Sequence, residues 1–342
     1  MSRRTGLLFV APALLLFGVF VLYPMVSALS YAFFGWQGTT RGAFVGLDNF
    51  TTLFTQEPFR TQLPRAFGHN IAFFVGTMLI QNTLGLGIAV LLHRRARTRR
   101  LLQTLYAMPY LVSPIVIGYL WTLLLSPTFG PVNALLRQVG LGSLAVPWLG
   151  DPSTALWVVV LVSAWQWVGF PVLLYGAALG GVPEELSEAA RVDGAGHWQT
   201  FRSITFPLLV PAIGTVSVLT FIFAMEAFAL PYALGGSTGN PAGATDFMSL
   251  LFYRTAFENG STNAIGSSSA IATLLFAVIF GGAVLATRVL RRTEARIAAR
   301  APPSWLRGRR RRRIPHRRNG AGSDRSVGRS AAPRCGSTRS PR

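Results

Sequence analysis

One carboxylate, Glu226, lies in an otherwise apolar stretch beside Met225, Phe228 and Tyr232. A charge at membrane depth is costly, so a lone acid there is a candidate solute contact. Its oxygens can accept hydrogen bonds from sugar hydroxyls. The alternatives are an acid at the outer interface, or one paired with Arg254 or a neighbouring subunit. A second candidate is the run Trp165-Gln166-Trp167. Indole faces stack on the C–H face of a sugar ring, although Trp is also the usual residue of the membrane interface. Consecutive helical residues point about 100° apart, so at most two of these three can line one cavity. Gln81 and Asn82 fit helix–helix hydrogen bonding better than solute contact, and Gly85 and Gly87 fit close packing.

Other chemistry is excluded by composition. No lysine occurs, so all 32 basic residues are arginine. The P-loop lysine and a Schiff-base lysine are both impossible. Cys335 is the single cysteine, so no internal disulfide forms. Histidines 69, 93, 197 and 316 have no metal-ligand spacing. No cofactor is expected in the chain, and no metal.

The elements around these residues are apolar. Of 342 residues, 51% are hydrophobic and 13% charged, too few charges for an ordinary soluble surface. Residues 5–40, 101–136, 152–183, 203–225 and 259–287 carry no ionised side chain, and 66–93 carry only two histidines. A helix crosses the hydrocarbon core in roughly 20 residues. Six spans are therefore expected, near Leu7–Phe34, Asn70–Leu92, Leu101–Leu125, Thr154–Ala178, Pro211–Ala233 and Ala264–Thr287. The first is read as a retained span: it runs well past the signal-like Val26-Ser27-Ala28. With an inner N-terminus, the inner segments hold 27 arginines and the outer ones five. That bias places both termini in the cytoplasm of a multi-pass plasma (inner) membrane protein.

The organisation expected is a six-span permease domain over 1–290 and an arginine-rich tail over 291–342. The tail holds 17 arginines and two acids, Glu294 and Asp324, and includes Arg309–Arg313. It is expected to be disordered. It lacks interleaved aromatics beyond Trp305, so contact with lipid headgroups is preferred to nucleic acid.

The segment between spans 4 and 5, about 179–210, is far longer than a connector. Glu184, Glu185, Glu188 and Asp193 make it acidic against an arginine-rich inner side. Pro183 opens a helix with Leu186, Ala189 and Ala190 along one face, and Gly194 and Gly196 break it. A further turn or two is expected from Trp198 to Thr205, with Pro207 stopping it before span 5. Such a segment reads as a docking element.

This segment resembles the EAA loop of binding-protein-dependent ABC importer permeases. The pattern is E-A-A, three residues, G, nine residues, I-x-L-P. Here Glu188-Ala189-Ala190 and Gly194 precede Ile204-Thr205-Phe206-Pro207 at those spacings, with Phe206 replacing Leu. The carbohydrate and glycerol-phosphate branch is similar in its wider string, in Tyr23-Pro24, in Val45-Gly-Leu-Asp-Asn-Phe50, and in Gly130-Pro-Val-Asn133 before Trp148-Leu149. Where that branch has G-G-P, this chain has Gly235-Gly236-Ser237.

The resemblance, over about 7–290, implies an all-α integral membrane protein with six transmembrane helices and the type I importer (MetI-like) architecture. It implies a non-enzymatic permease subunit that forms half of a sugar path. Glu188, Ala189, Ala190, Asp193, Gly194, Ile204 and Pro207 would belong to the ATPase-coupling element. Glu226, Trp165, Gln166, Trp167 and Tyr232 are the candidates for the solute path. ATP would be hydrolysed by a partner. The implied partners are a second, different permease subunit, two cytoplasmic ATPase subunits, an extracytoplasmic solute-binding protein and membrane lipid. The alternatives are a permease for peptides or amino acids, and an ion-coupled transporter, for which broken spans and paired intramembrane charges would be expected.

Overall fold

The computed structural model describes residues 3–93 and 99–300; the basic tail from 301 onward lies outside them. Helix α1 (Val10–Tyr31) is followed by a hairpin of β1 (Phe34–Gln37) and β2 (Thr40–Phe44), then α2 (Asp48–Thr55) and α3 (Phe59–His93). Next come α4 (Leu101–Leu111), α5 (Pro114–Leu124), α6 (Pro131–Gln138), α7 (Pro152–Trp167) and α8 (Gly169–Gly180). The chain continues through α9 (Glu184–Val192), α10 (His197–Met225), α11 (Ala229–Gly235), α12 (Met248–Phe257) and α13 (Ala264–Arg300). Among the described residues four helices are long and apolar enough to span a membrane, and the number rises to six when each of two bent pairs is one span. Those pairs are α4 with α5, bent by 91°, and α7 with α8, bent by 46°.

Each break has a local cause. Pro114 opens α5 and forces Ser113 out of the helical region, to φ −55° and ψ 131°. The Val112 carbonyl freed there accepts a hydrogen bond from Gln166 Nε2 at 2.9 Å, as a low-dielectric setting requires. At the second break, a Cβ on Gly169 would collide with the Tyr106 carbonyl, so only glycine lets α8 approach that turn. Asp151 caps α7, accepting from the Ser153 amide at 2.8 Å. Hydrogen bonds from Ser153 hold its carboxyl below the usual carboxylate range.

Several sequence expectations change. Span 5 does not begin at Pro211: α10 runs unbroken from His197 through Pro207 and Pro211 for 29 residues. A π-type turn at Phe201–Thr205 precedes Pro207, which takes an early position of the following α segment, where a missing N–H costs least. Span 5 also ends at Met225, not Ala233. The last helix continues to Arg300, past the expected boundary at 290. Gly85 packs closely, since a Cβ would meet Pro171 at 2.7 Å, whereas Gly87 has nothing within 4 Å.

The β hairpin is the one departure from all-α among the described residues. It is tied down by asparagines. Asn263 Oδ1 accepts from the Trp36 amide at 3.0 Å, and Asn263 Nδ2 donates to Asn49 Oδ1 at 2.8 Å. Asn49, in turn, donates to the Ala32 and Phe34 carbonyls. The main core forms where α3, α7 and the end of α10 meet, with Phe73, Val158, Val159, Met225, Leu230 and Phe247 buried together. None of the hydropathic window of α1 is buried within the chain.

The stretch after α11 is a folded cap, not a loose Gly/Ser loop. Arg254 forms an ion pair with Asp246 at 3.0 Å and donates also to the Ser237 carbonyl and Gln62 Oε1. The Asp246 side chain is only 2% exposed. His69 Nδ1 lies 2.8 Å from the Asp246 carbonyl oxygen. Arg254→Ala leaves a buried carboxylate without its cation. It should lower stability by about 3 kcal/mol, read as a reduced melting temperature of the purified protein in detergent.

Candidate functional site

Two regions carry the candidate residues. The first is the segment between α8 and α10. Glu184 and Glu185 occupy the first turn of α9, where acids favour the positive helix end. The helix closes in a Schellman motif: the Gly194 amide donates to the Arg191 carbonyl at 3.0 Å and the Ala195 amide to Ala190 at 2.9 Å. Gly194 has φ +80°, which explains the glycine, yet a Cβ there would meet nothing in this chain. Ala190 is buried, whereas Glu188, Ala189, Asp193 and Gly194 are exposed. The inward side is therefore Ala190, and the expected common face of Leu186, Ala189 and Ala190 is split. Val192 is 87% and Trp198 71% exposed, and Leu186 is exposed as well. An acidic helix with bare apolar side chains is a surface suited to another protein. Ile204 and Pro207 lie within α10, half-buried.

The second region is a cavity of about 230 Å³ at the other end of α10. Glu226 is the residue at which α10 stops, with φ −86° and ψ −1°; it is not within a helical span. It lines the cavity with Trp167, Phe223, Phe228, Gln81, Ser163 and Thr220, and Phe73 and Thr77 complete one wall. Arg254 is engaged by Asp246, so the expected alternative of a Glu226–Arg254 pair is not formed. Among the described residues Glu226 has no ion pair. Of the three consecutive candidates in α7, only Trp167 lines this cavity. Its ring packs against Phe223 at 5.5 Å and edge-on to Tyr110 at 4.9 Å.

Gln166 is fully buried, with its amide on Val112, so it holds the α4–α5 break rather than facing solute. Trp165 turns to a separate apolar groove with Leu84 and Tyr106, and packs edge-on to Trp121. Tyr232 sits one layer back, stacked on Phe228 at 5.4 Å and in contact with Tyr253. Asn82 donates to Thr220 Oγ1 at 3.1 Å, the helix–helix bond expected of it. Ser163, Thr220 and Thr77 were missed in the sequence. Small hydroxyls in apolar helices are common, and two of these three, Thr77 and Thr220, bond to carbonyls of their own helix. Asn70 was missed too, although an amide in an apolar run is itself a signal.

An exposed acidic helix with bare apolar side chains thus adjoins one end of α10, and a carboxylate among aromatics and hydroxyls lies at the other. Residues 81–295 match the model of the binding-protein-dependent transport system inner membrane component. The chain belongs to this family. It is 32% identical to a probable starch degradation products transport system permease of Thermoanaerobacterium thermosulfurigenes, over 80% of this chain and 89% of that one. It is 33% identical to a diacetylchitobiose uptake system permease of Streptomyces coelicolor, over 80% of each. Among solved structures, a bacterial alginate ABC transporter in complex with a periplasmic protein carrying an alginate pentasaccharide aligns with a TM-score of 0.72. Identity there is 26%, over 85% of this chain and 96% of that one. Membership of a permease family removes the ion-coupled alternative, even though two spans are broken.

The positive φ at Gly194 gives a direct check. Gly194→Ala should cost about 1 kcal/mol of local stability and no more, because the added methyl meets nothing in the chain. Unfolding of the isolated subunit should show that small loss, and any larger defect in an assembled transporter then reports a surface outside this chain.

Proposed function

We propose that this permease forms half of the translocation path for a carbohydrate and is driven by a separate ATPase through the segment around α9. The single observation carrying this reading is that the segment around α9 adjoins one end of an unbroken helix, α10, whose other end lies at the Glu226 cavity. At about 1.5 Å per residue, the 29 residues of α10 form a rod of roughly 43 Å. A push on α9 and the start of α10 would shift the Glu226 end as a rigid body. Glu188, Ala189, Asp193 and Gly194 would meet the ATPase, with Val192 and Trp198 as apolar anchors.

The carbohydrate reading rests on the cavity chemistry, a carboxylate and hydroxyls beside Trp167, Phe223 and Phe228. It is supported by relatives named as permeases for starch degradation products, diacetylchitobiose and trehalose/maltose. The cavity is smaller than the roughly 300 Å³ at the low end of ligand sites, as suits one wall of a path completed by a second permease chain. The uncovered α1 fits such a partner. A solute-binding protein outside, two ATPase subunits inside, and both termini on the inner side complete the reading, the last from the arginine bias.

A strain lacking the endogenous system, carrying the full transporter, provides the test. Saturable uptake is expected for one or more of maltose, trehalose and diacetylchitobiose. Glu188→Arg and Gly194→Leu should abolish it while the subunit still inserts. Glu226→Ala should raise the half-saturating concentration about tenfold, the loss of a hydrogen bond to a charged group, with nucleotide hydrolysis by the partner unchanged. Wild-type uptake in both loop variants would reject the coupling role, and a wild-type profile for Glu226→Ala would remove it from the path.

A further inference from the structure

The end of α10 is an unusual place for a helix to stop. Its last carbonyls have no donors within the helix, and no glycine follows to supply the common left-handed cap. Water is scarce at such a position in a membrane, so the carbonyls need partners from the protein. Asn70, on the preceding long helix α3, supplies them. Its Nδ2 donates to the Ala224 carbonyl at 2.8 Å and reaches the Met225 carbonyl at 3.3 Å. Its Oδ1 accepts from the amide of Met248, the first residue of α12, at 2.9 Å. One fully buried side chain therefore closes the end of one helix and the start of another.

The residue immediately after the two capped carbonyls is Glu226. Beyond it the backbone leaves the helix, with Phe228 at φ −129° and ψ −59°. Asn70 therefore sets where the helix stops and the direction in which Glu226 leaves it. Phe73, one turn along α3 from Asn70, lines the same cavity and packs edge-on to Phe247 at 5.3 Å. The second tie between α3 and α10, from Asn82 to Thr220, lies deeper and holds the rod without touching its end.

We infer that Asn70 is a positioning residue of the transport path: it aims Glu226 into the cavity by capping the end of α10. The inference rests on the reading of Glu226 as a solute contact, but its test does not require the solute. Cys335 is replaced by serine, and Glu226→Cys is introduced into the full chain in lipid nanodiscs. The rate of modification by the cationic thiol reagent MTSET is then measured with and without Asn70→Leu. A parallel pair carries Ser163→Cys, which lines the same cavity from α7.

Loss of the cap should change the rate at position 226 about tenfold, the scale of a lost buried hydrogen-bond set, and leave the rate at position 163 within about twofold. Asn70→Ser, which keeps a donor and an acceptor, should fall between, and it replaces Asn70→Leu if that variant does not accumulate. Equal rates at 226 with and without Asn70, or a parallel change at both positions, would overturn the inference. Either outcome is independent of the uptake measurement on Glu226→Ala, which tests the path role alone.

Discussion

Backbone groups released inside hydrocarbon must find partners within the protein, and most of this architecture follows from that constraint. Spans built from α4–α5 and α7–α8 are broken, yet the break at Val112 is closed by Gln166. The abrupt end of α10 is closed by Asn70. The buried amides that looked like solute ligands or were passed over are, in large part, what allows irregular backbone to exist beside the cavity. Those amides do structural work, and the cavity is lined instead by Glu226, Gln81 and the hydroxyls of Thr77, Ser163 and Thr220.

The same constraint separates stiff from interruptible elements. Helix α10 carries two prolines but remains continuous, because a π-type turn accommodates the first and the second is tolerated within a packed helix. It runs from the exposed turn that follows α9 to the cavity. Under the proposed coupling, no relay of side chains is needed between the two ends. The ion pair of Asp246 with Arg254 and the bonds of Asn49 and Asn263 tie down the segments outside the long helices.

Much of this was legible in the sequence. Charge-free runs located the four long apolar helices and the two bent pairs, because bilayer thickness sets a length that few buried helices reach. Glu188-Ala189-Ala190 with Gly194 marked a helix and its end, and the left-handed Gly194 accounts physically for the glycine there. The breaks were not legible: Pro114 and Gly169 lie in runs as apolar as any straight span. The extent of α10 was misread because Pro207 ordinarily ends a helix. The division of Trp165, Gln166 and Trp167 among three environments follows from helical geometry, but which residue faces the cavity depends on tertiary packing. Asn70 acts on residues more than 150 positions away, a separation that no local pattern reports.

The central claim is that α10 moves as one rod between the docking segment and the cavity. Spin labels at Trp198 and Phe223, both exposed, sit near its two ends, and a label at Leu120 on α5 supplies a reference. Electron–electron distance measurements in the assembled transporter, nucleotide-free and ATP-trapped, test the claim directly. The Trp198–Phe223 distance should stay constant to about 2 Å, while Trp198–Leu120 shifts by several Å, as expected of rigid-body motion. A change along α10 as large as that to α5 would contradict the account.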